Sequence, residues 1–168
     1  ASVYSSVQPS NLPIAMPRPT RHHLLRLINW YPPFLGAGIR MTHLSRDFTY
    51  CRVRLKLRWW NRNYVGTQFG GSLYAMCDPF FMLLLLQTMS MREYVIWDKA
   101  ASIRFRRPGR HDVYAEFHVP LDRVEEMRRE VDEAGGKKDF VFCTEVKTPE
   151  GEVIAEVEKV IYVRKKQN

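Results

Sequence analysis

Between Asn63 and Asp78 the chain reads NYVGTQFGGSLYAMCD: an amide side chain, three glycines of which two are adjacent, and one carboxylate seven residues past the pair. These residue types suit acyl chemistry. Adjacent glycines let the backbone approach a ligand closely because no Cβ intervenes. Their N–H groups, placed at the start of a helix, are unpaired donors that can hold developing negative charge. An aspartate facing the same ligand is a candidate general base or nucleophile. Asn63 offers a donor and an acceptor with which to orient a water or a carbonyl. A plain structural reading stands beside two of these. Asparagine ahead of a glycine loop is commonly a turn former, and Asp78-Pro79 is a good N-cap–N1 pair that would begin a helix there.

What must position these residues is a helix. Residues 71–88 can form one, and residues 80–86, the longest uninterrupted apolar run, give its second half no polar side. Such a run is far short of the ~20 residues a membrane span needs. A helix apolar all round must be buried on nearly every side, and a curved antiparallel sheet wrapped around it does this in a chain of 168 residues. Asp78 then lies near the middle of the helix, with Tyr74, Ala75, Phe81 and Met82 as neighbours at i±3 and i±4. Pro79 becomes an internal proline that kinks the helix and frees the carbonyl of Ala75. Burying a carboxylate is costly unless it is paired or hydrogen-bonded, and desolvation suits a base working near neutral pH.

The sheet is legible as a change of period. From Gly38 onward apolar residues recur every second position. In CRVRLKL, Cys51, Val53, Leu55 and Leu57 alternate with Arg52, Arg54 and Lys56; this is a strand with one buried and one basic face. ASIRFRRP puts Ala101, Ile103 and Phe105 inward and Ser102, Arg104 and Arg106 outward. VYAEFHV, FVFCTEV and VIAEVEKVIYV supply three further strands. Residues 122–135 read as a surface helix, Asp122 and Glu125 forming a capping-box variant and Val124, Met127 and Val131 a thin apolar stripe that Gly135-Gly136 ends. There is no strand–helix alternation of the kind a parallel sheet requires, so the class is α+β.

Ahead of this, residues 1–19 are Ser/Pro-rich and read as an extended arm; residues 20–168 form a single domain, with 20–37 an accessory helix and linker. Thr20 caps that helix, Leu24, Leu27, Ile28 and Tyr31 share a face, and Pro32-Pro33 stops it. Adjacent His22 and His23 point about 100° apart and do not suggest a metal. Cys51, Cys77 and Cys143 are odd in number and widely spaced, neither a disulfide framework nor a zinc site. No secretory leader pattern opens the chain, and free thiols in a reducing cytoplasm are the expectation. The formal net charge of +8 is compatible with nucleic acid, acidic lipid or phosphorylated small molecules.

Taken together, N-x-x-G-x-x-F-G-G followed after six residues by Asp resembles the glycine-loop motif of the hotdog-fold acyl-CoA thioesterases, in particular the PaaI-like branch and the thioesterase-like group of the DUF4442 type. The resemblance extends over the strand pair in KAASIRFRRPGRHDVYAEFHV and covers the chain from Gly38 onward. It implies a hotdog fold, a curved antiparallel sheet around one long central apolar helix. It further implies hydrolysis of an acyl-CoA thioester, with Gly70 and Gly71 N–H groups as oxyanion donors, Asp78 activating a water or attacking directly, and Asn63 orienting. Gly66, Thr67, Gln68 and Phe69 are expected to line the substrate, with Arg104 and Arg107 on the coenzyme A phosphates. Coenzyme A enters only as part of the substrate; no metal or other cofactor is implied, and no membrane partner. The loop and acid that complete one site come in this family from two subunits, so a homodimer or dimer of dimers is expected. Phe69 stands where the family usually has His, which leaves open a non-catalytic acyl-CoA or fatty-acyl binding module. A basic nucleic-acid-binding domain is the third reading, since Arg52, Arg54, Lys56, Arg104, Arg106 and Arg107 could contact phosphates or form a solvated outer face.

Overall fold

A computed structural model describes residues 20–167; the arm expected over residues 1–19 lies outside the described residues. Helix α1 (Arg21–Asn29) starts where Thr20 accepts a hydrogen bond from the His23 amide at 3.4 Å. Leu24 is buried, but Leu27 and Tyr31 are exposed, so the expected four-residue apolar face narrows. Pro32-Pro33 does not lead into a linker. The prolines occupy the first turn of a second helix, α2 (Pro32–Ala37), where their missing donors cost nothing.

Six strands follow: β1 (Ile39–Leu44), β2 (Tyr50–Leu55), β3 (Tyr94–Phe105), β4 (Val113–His118), β5 (Lys137–Lys147) and β6 (Val153–Lys165). They form one antiparallel sheet in the order β1-β2-β4-β5-β6-β3. The expected inward rows hold in β2 and β4, where Cys51, Val53, Leu55, Val113, Ala115 and Phe117 are buried. Helix α5 (Leu121–Glu133), between β4 and β5, buries the expected Val124, Met127 and Val131. Its N-cap is Pro120 with no side-chain bond, so Asp122 falls inside the first turn rather than capping it.

The central helix departs from the expected single rod. It is broken into α3 (Gly70–Ala75) and α4 (Phe80–Thr88). Pro79 cannot donate to the carbonyl of Ala75 and its ring would clash there. The chain tightens instead: the amides of Cys77 and Asp78 donate to the carbonyls of Tyr74 and Ala75, three residues back. On α4, Phe80, Phe81, Leu84 and Leu85 are buried. Phe117 from β4 has its ring centroid 5.1 Å from those of both Phe80 and Phe81. Met82, Leu83 and Leu86 remain half-buried, so the described residues do not bury α4 on nearly every side.

Strand β3 is longer than the sequence reading and carries an irregularity. Its pairing with β6 shifts between Asp98 and Ala100. That shift inverts the alternation, so Ala101, Ile103 and Phe105 lie opposite Lys159, Val157 and Ala155 of the core-facing row of β6. They point to the expected side. Yet Ala101 and Phe105 are exposed, because β3 is an edge and, among the described residues, only the first turn of α3 reaches this stretch, at the Phe105 ring.

Candidate active site

The residues singled out by spacing fall into two groups. The first is the loop before α3. Asn63 is its brace: Oδ1 accepts from the amides of Val65 and Thr67 at 3.1 and 2.9 Å, and Nδ2 donates to Thr67 Oγ1 and the Gln68 carbonyl at 2.9 and 3.2 Å. Both polar atoms are committed inside the loop, which is the turn-forming arrangement. Gly66 has φ 84°, a conformation side chains rarely adopt. Thr67 and Gln68 are buried. Gln68 Nε2 donates to the carbonyls of Leu55 and His111, while its Oε1 has no partner among the described residues.

Gly70 and Gly71 form the first turn of α3, where amides precede any intrahelical acceptor. Six residues give this helix a length of about 9 Å, so the donors themselves, not a long macrodipole, supply what polarity the turn has. Two aromatic rings flank them. A Cβ at Gly70 would lie 3.0 Å from the Phe105 ring, and one at Gly71 only 2.5 Å from the Phe69 ring. Gly70 is therefore tightly packed against Phe105, whereas the ring over Gly71 is the far edge of an exposed side chain that can yield. Gly70, Leu73, Phe105, Gln68 and Arg107 border a groove of about 350 Å³.

The second group surrounds Asp78. It sits in the break between α3 and α4 and does not cap α4, whose N-cap is Pro79 with no side-chain bond. The expectation of a fully buried acid is corrected as well: the side chain is 46% exposed, because the break turns this residue outward. Its Oδ1 accepts from the Tyr74 hydroxyl at 2.9 Å and from Lys159 Nζ at 2.8 Å. Lys159 itself is 1% exposed, and its Nζ also lies 3.1 Å from Asp98 Oδ1. Burial alone would pull the Lys159 ammonium down; the Asp78 hydrogen bond and the Asp98 charge outweigh it and hold the group above the usual lysine value. Burial pushes the Asp98 carboxyl up, against the opposing pull of Lys159. Burial likewise raises the Tyr74 phenol, with Asp78 adding to it, so Tyr74 is a firm donor.

Sequence reasoning missed Lys159 and Asp98. A signal for the first was present: in VIAEVEKVIYV, Lys159 occupies the apolar row with Ala155, Val157 and Ile161, and a lysine in an inward position needs an anion.

Within one chain the two groups do not meet. Asp78 does not border the groove at Gly70; it lies beyond the C-terminal end of α3, whose first turn holds the glycines. The expected arginines also separate. Arg107 borders the groove and pairs with Glu152, whereas Arg104 lies on the opposite face of the sheet. There it lines the larger cavity, about 740 Å³, together with Arg52, Glu116, Glu156 and Glu158. That cavity is lined by charges of both signs, and none of the motif residues reaches it.

The family model described as domain of unknown function (DUF4442) matches residues 21–163, and the chain belongs to that family. Its structure is similar to that of a Pseudomonas aeruginosa protein described as a probable thioesterase, with 25% identity over 90% of this chain and 99% of the other at a TM-score of 0.78. It is also similar to a thioesterase from Haemophilus influenzae, 14% identical over 86% and 90% of the two chains at a TM-score of 0.63. A third likeness is to a mutant of the phenylacetic acid degradation protein PaaI from Thermus thermophilus, 21% identical over 79% and 98% at a TM-score of 0.55. No curated protein matches the chain. The fold is therefore the hotdog, an α+β sheet curved around a central helix, and the resemblance to the thioesterase superfamily holds.

Proposed function

We propose that the protein hydrolyses acyl-CoA thioesters as a homodimer, the Asp78 of one copy facing the Gly70-Gly71 turn of the other. The observation that carries this is the state of Asp78. It is a half-exposed carboxylate at a helix break, excused from capping, with Oδ1 held by two donors and Oδ2 without a protein partner among the described residues. A carboxylate so placed can take a proton from water or attack a carbonyl. The amides of Gly70 and Gly71 would receive the oxygen of the tetrahedral intermediate, and the groove bordered by Phe105 and Leu73 would take apolar substrate. Arg107, on the same groove, is the better-placed contact for a coenzyme A phosphate; Arg104 is not near it. Coenzyme A is part of the substrate, and the chemistry calls on no other cofactor.

A second copy is supported by what one chain leaves uncovered. The acid and the donor turn are apart, and on the core side of the edge strand Ala101 and Phe105 stay exposed among the described residues, Phe105 touched only along its ring by the start of α3. Long apolar edges are normally paired or covered. Edge-to-edge pairing of β3 would do both. The basic strands argue for a solvated face rather than nucleic acid, since Arg52 pairs with Glu116 and Arg106 with Glu156. Among the described residues no helix is long and apolar enough to cross a membrane. The free thiols, two of them buried, fit a reducing compartment, and we place the protein in the cytoplasm.

One observation favours an acyl-binding module instead: Phe69, in the place usual for His, offers the substrate no hydrogen bond. Free-thiol release across short, medium, long and aromatic CoA esters separates the two, with Asp78→Asn beside the native chain. Hydrolysis that collapses in the variant while binding persists supports the enzyme. Binding without hydrolysis by the native chain overturns it.

A further inference from the structure

We infer that Lys159 is a positioning residue of this site: with Tyr74 it clamps one oxygen of Asp78 so that the other, Oδ2, is the oxygen that meets substrate. The inference rests on the thioesterase reading for its consequence, and on geometry for the clamp itself. Lys159 stands in the core-facing row of β6, opposite Ala101 of β3 and Phe142 of β5. At 1% exposure it has no access to water, so its charge must be met by protein.

Two carboxylates meet it, on different terms. Asp98, with a 20% exposed side chain, is the enclosed counter-ion. Asp78 is the partner left toward solvent. Asp78 takes the ammonium's hydrogen bond while Asp98 Oδ1 makes none, so the Asp78 pairing is directional as well as neutralising. What that bond adds is orientation. The 2.8 Å bond from Lys159 and the 2.9 Å bond from Tyr74 converge on the same atom, Oδ1. A carboxylate free on both oxygens would rotate between equivalent poses; one held at Oδ1 by two donors from separate elements presents Oδ2 in a single direction. Tyr74 is in turn kept in place by the ammonium, which lies 5.5 Å from its ring centroid. Productive attack depends on such alignment, and a misplacement of about 1 Å can cost on the order of 100-fold in rate.

The test uses the full chain with Tyr74→Phe, Lys159→Met and Lys159→Arg, read in two ways. Hydrolysis of the best CoA ester should lose about tenfold in kcat for Tyr74→Phe and about 100-fold for Lys159→Met, with KM within about twofold, and Lys159→Arg should recover part of the loss. Side-chain three-bond couplings of Asp78 should report one χ1 rotamer in the native chain and an average in Tyr74→Phe and Lys159→Met. A purely structural lysine would lower the melting temperature and leave kcat per folded site unchanged. Should Lys159→Met misfold, Tyr74→Phe carries both readouts. A native chain that hydrolyses nothing, yet whose fixed rotamer these variants release, would refute the enzyme and keep the clamp. Variants that hold the rotamer fixed and kcat within twofold of native would refute the clamp and keep the enzyme.

Discussion

Lys159 Nζ lies 2.8 Å from Asp78 Oδ1, yet the lysine side chain is 1% exposed and the aspartate 46%. A cation sealed in the sheet is thus tied to an anion at the surface, with Asp98 as its enclosed partner. The consequences for stability are unequal. Lys159→Met leaves Asp98 largely buried without its cation, and stranding a buried charge costs about 3–5 kcal/mol. Asp78→Asn leaves Lys159 paired to Asp98 and keeps an acceptor oxygen, a loss of about 1 kcal/mol. Urea midpoints should therefore fall in the order native, Asp78→Asn, Lys159→Met, the last by several times the second. Equal losses would mean that Asp98 is not the principal counter-ion.

Gly70→Ala and Gly71→Ala should separate stability from activity. Alanine is the better helix former by about 1 kcal/mol, so neither change threatens the fold through the backbone. Each added methyl meets a ring: Phe105 at 3.0 Å from Gly70, Phe69 at 2.5 Å from Gly71. Phe69 is 55% exposed and can swing away, carrying its ring across the mouth of the donor turn. Gly71→Ala is expected to melt within about 3 °C of native while hydrolysis drops at least tenfold. Adding Phe69→Ala should restore much of that loss. A Gly71→Ala enzyme with native activity would show that substrate does not approach this turn.

The parts of this arrangement that sequence reveals are those written in local periodicity. Cys51, Val53 and Leu55 or Val124, Met127 and Val131 declare their faces because each pattern matches one element over its whole length. Strand β3 was only half legible: the shift at Lys99 inverts its alternation, so Tyr94 and Ile96 fall out of phase with Ile103 and Phe105. The break after Ala75 was foreshadowed by Pro79, but whether proline kinks a helix or divides it depends on the bonds its neighbours find. Arg104 and Arg107 looked like one phosphate contact and proved to lie on different faces, because β3 ends at Phe105 and the chain turns between them. Of Asp78's partners, Tyr74 is legible at four residues, while Lys159 is 81 positions away. Only the odd lysine in an apolar row hints at that pairing.

The two-copy site predicts complementation. Asp78→Asn removes the acid and leaves the donor turn; Gly71→Ala impairs the turn and leaves the acid. Each alone should be weak as a homodimer. After mixing and subunit exchange, half of the dimers are mixed, and each mixed dimer contains one site with both native parts. Recovered activity should approach about a quarter of the native rate per chain, as the statistics of random pairing require. Replacing the exposed edge residue Ala101 by Lys, a change that blunts strand edges, should yield monomers by light scattering and abolish the recovery. If the mixture is no more active than its components, the acid and the turn do not join across subunits.

Alkaline pH should weaken the fold in two stages. Cys51 and Cys77 are fully buried; burial pushes the Cys77 thiol up to about 12 and raises Cys51 by the same cause. An unfolded thiol ionises near ~8.5, so above that pH the folded chain keeps protons the unfolded chain has lost. Stability then falls by up to about 1.4 kcal/mol per pH unit for each thiol. Lys159 acts later in the same direction. Its ammonium is held above the ordinary value, so its contribution is complete below the unfolded lysine value of ~10.4 and is lost as pH rises through the folded one. Urea midpoints taken at pH 8, 9 and 10 should decline steadily, and Cys77→Ala should roughly halve the slope because Cys51 remains. Lys159→Met should leave that slope alone and remove only the further loss above pH 10.5. A midpoint constant from pH 8 to 10 would show that neither thiol is enclosed in solution, Cys51 in β2 or Cys77 in the turn between α3 and α4.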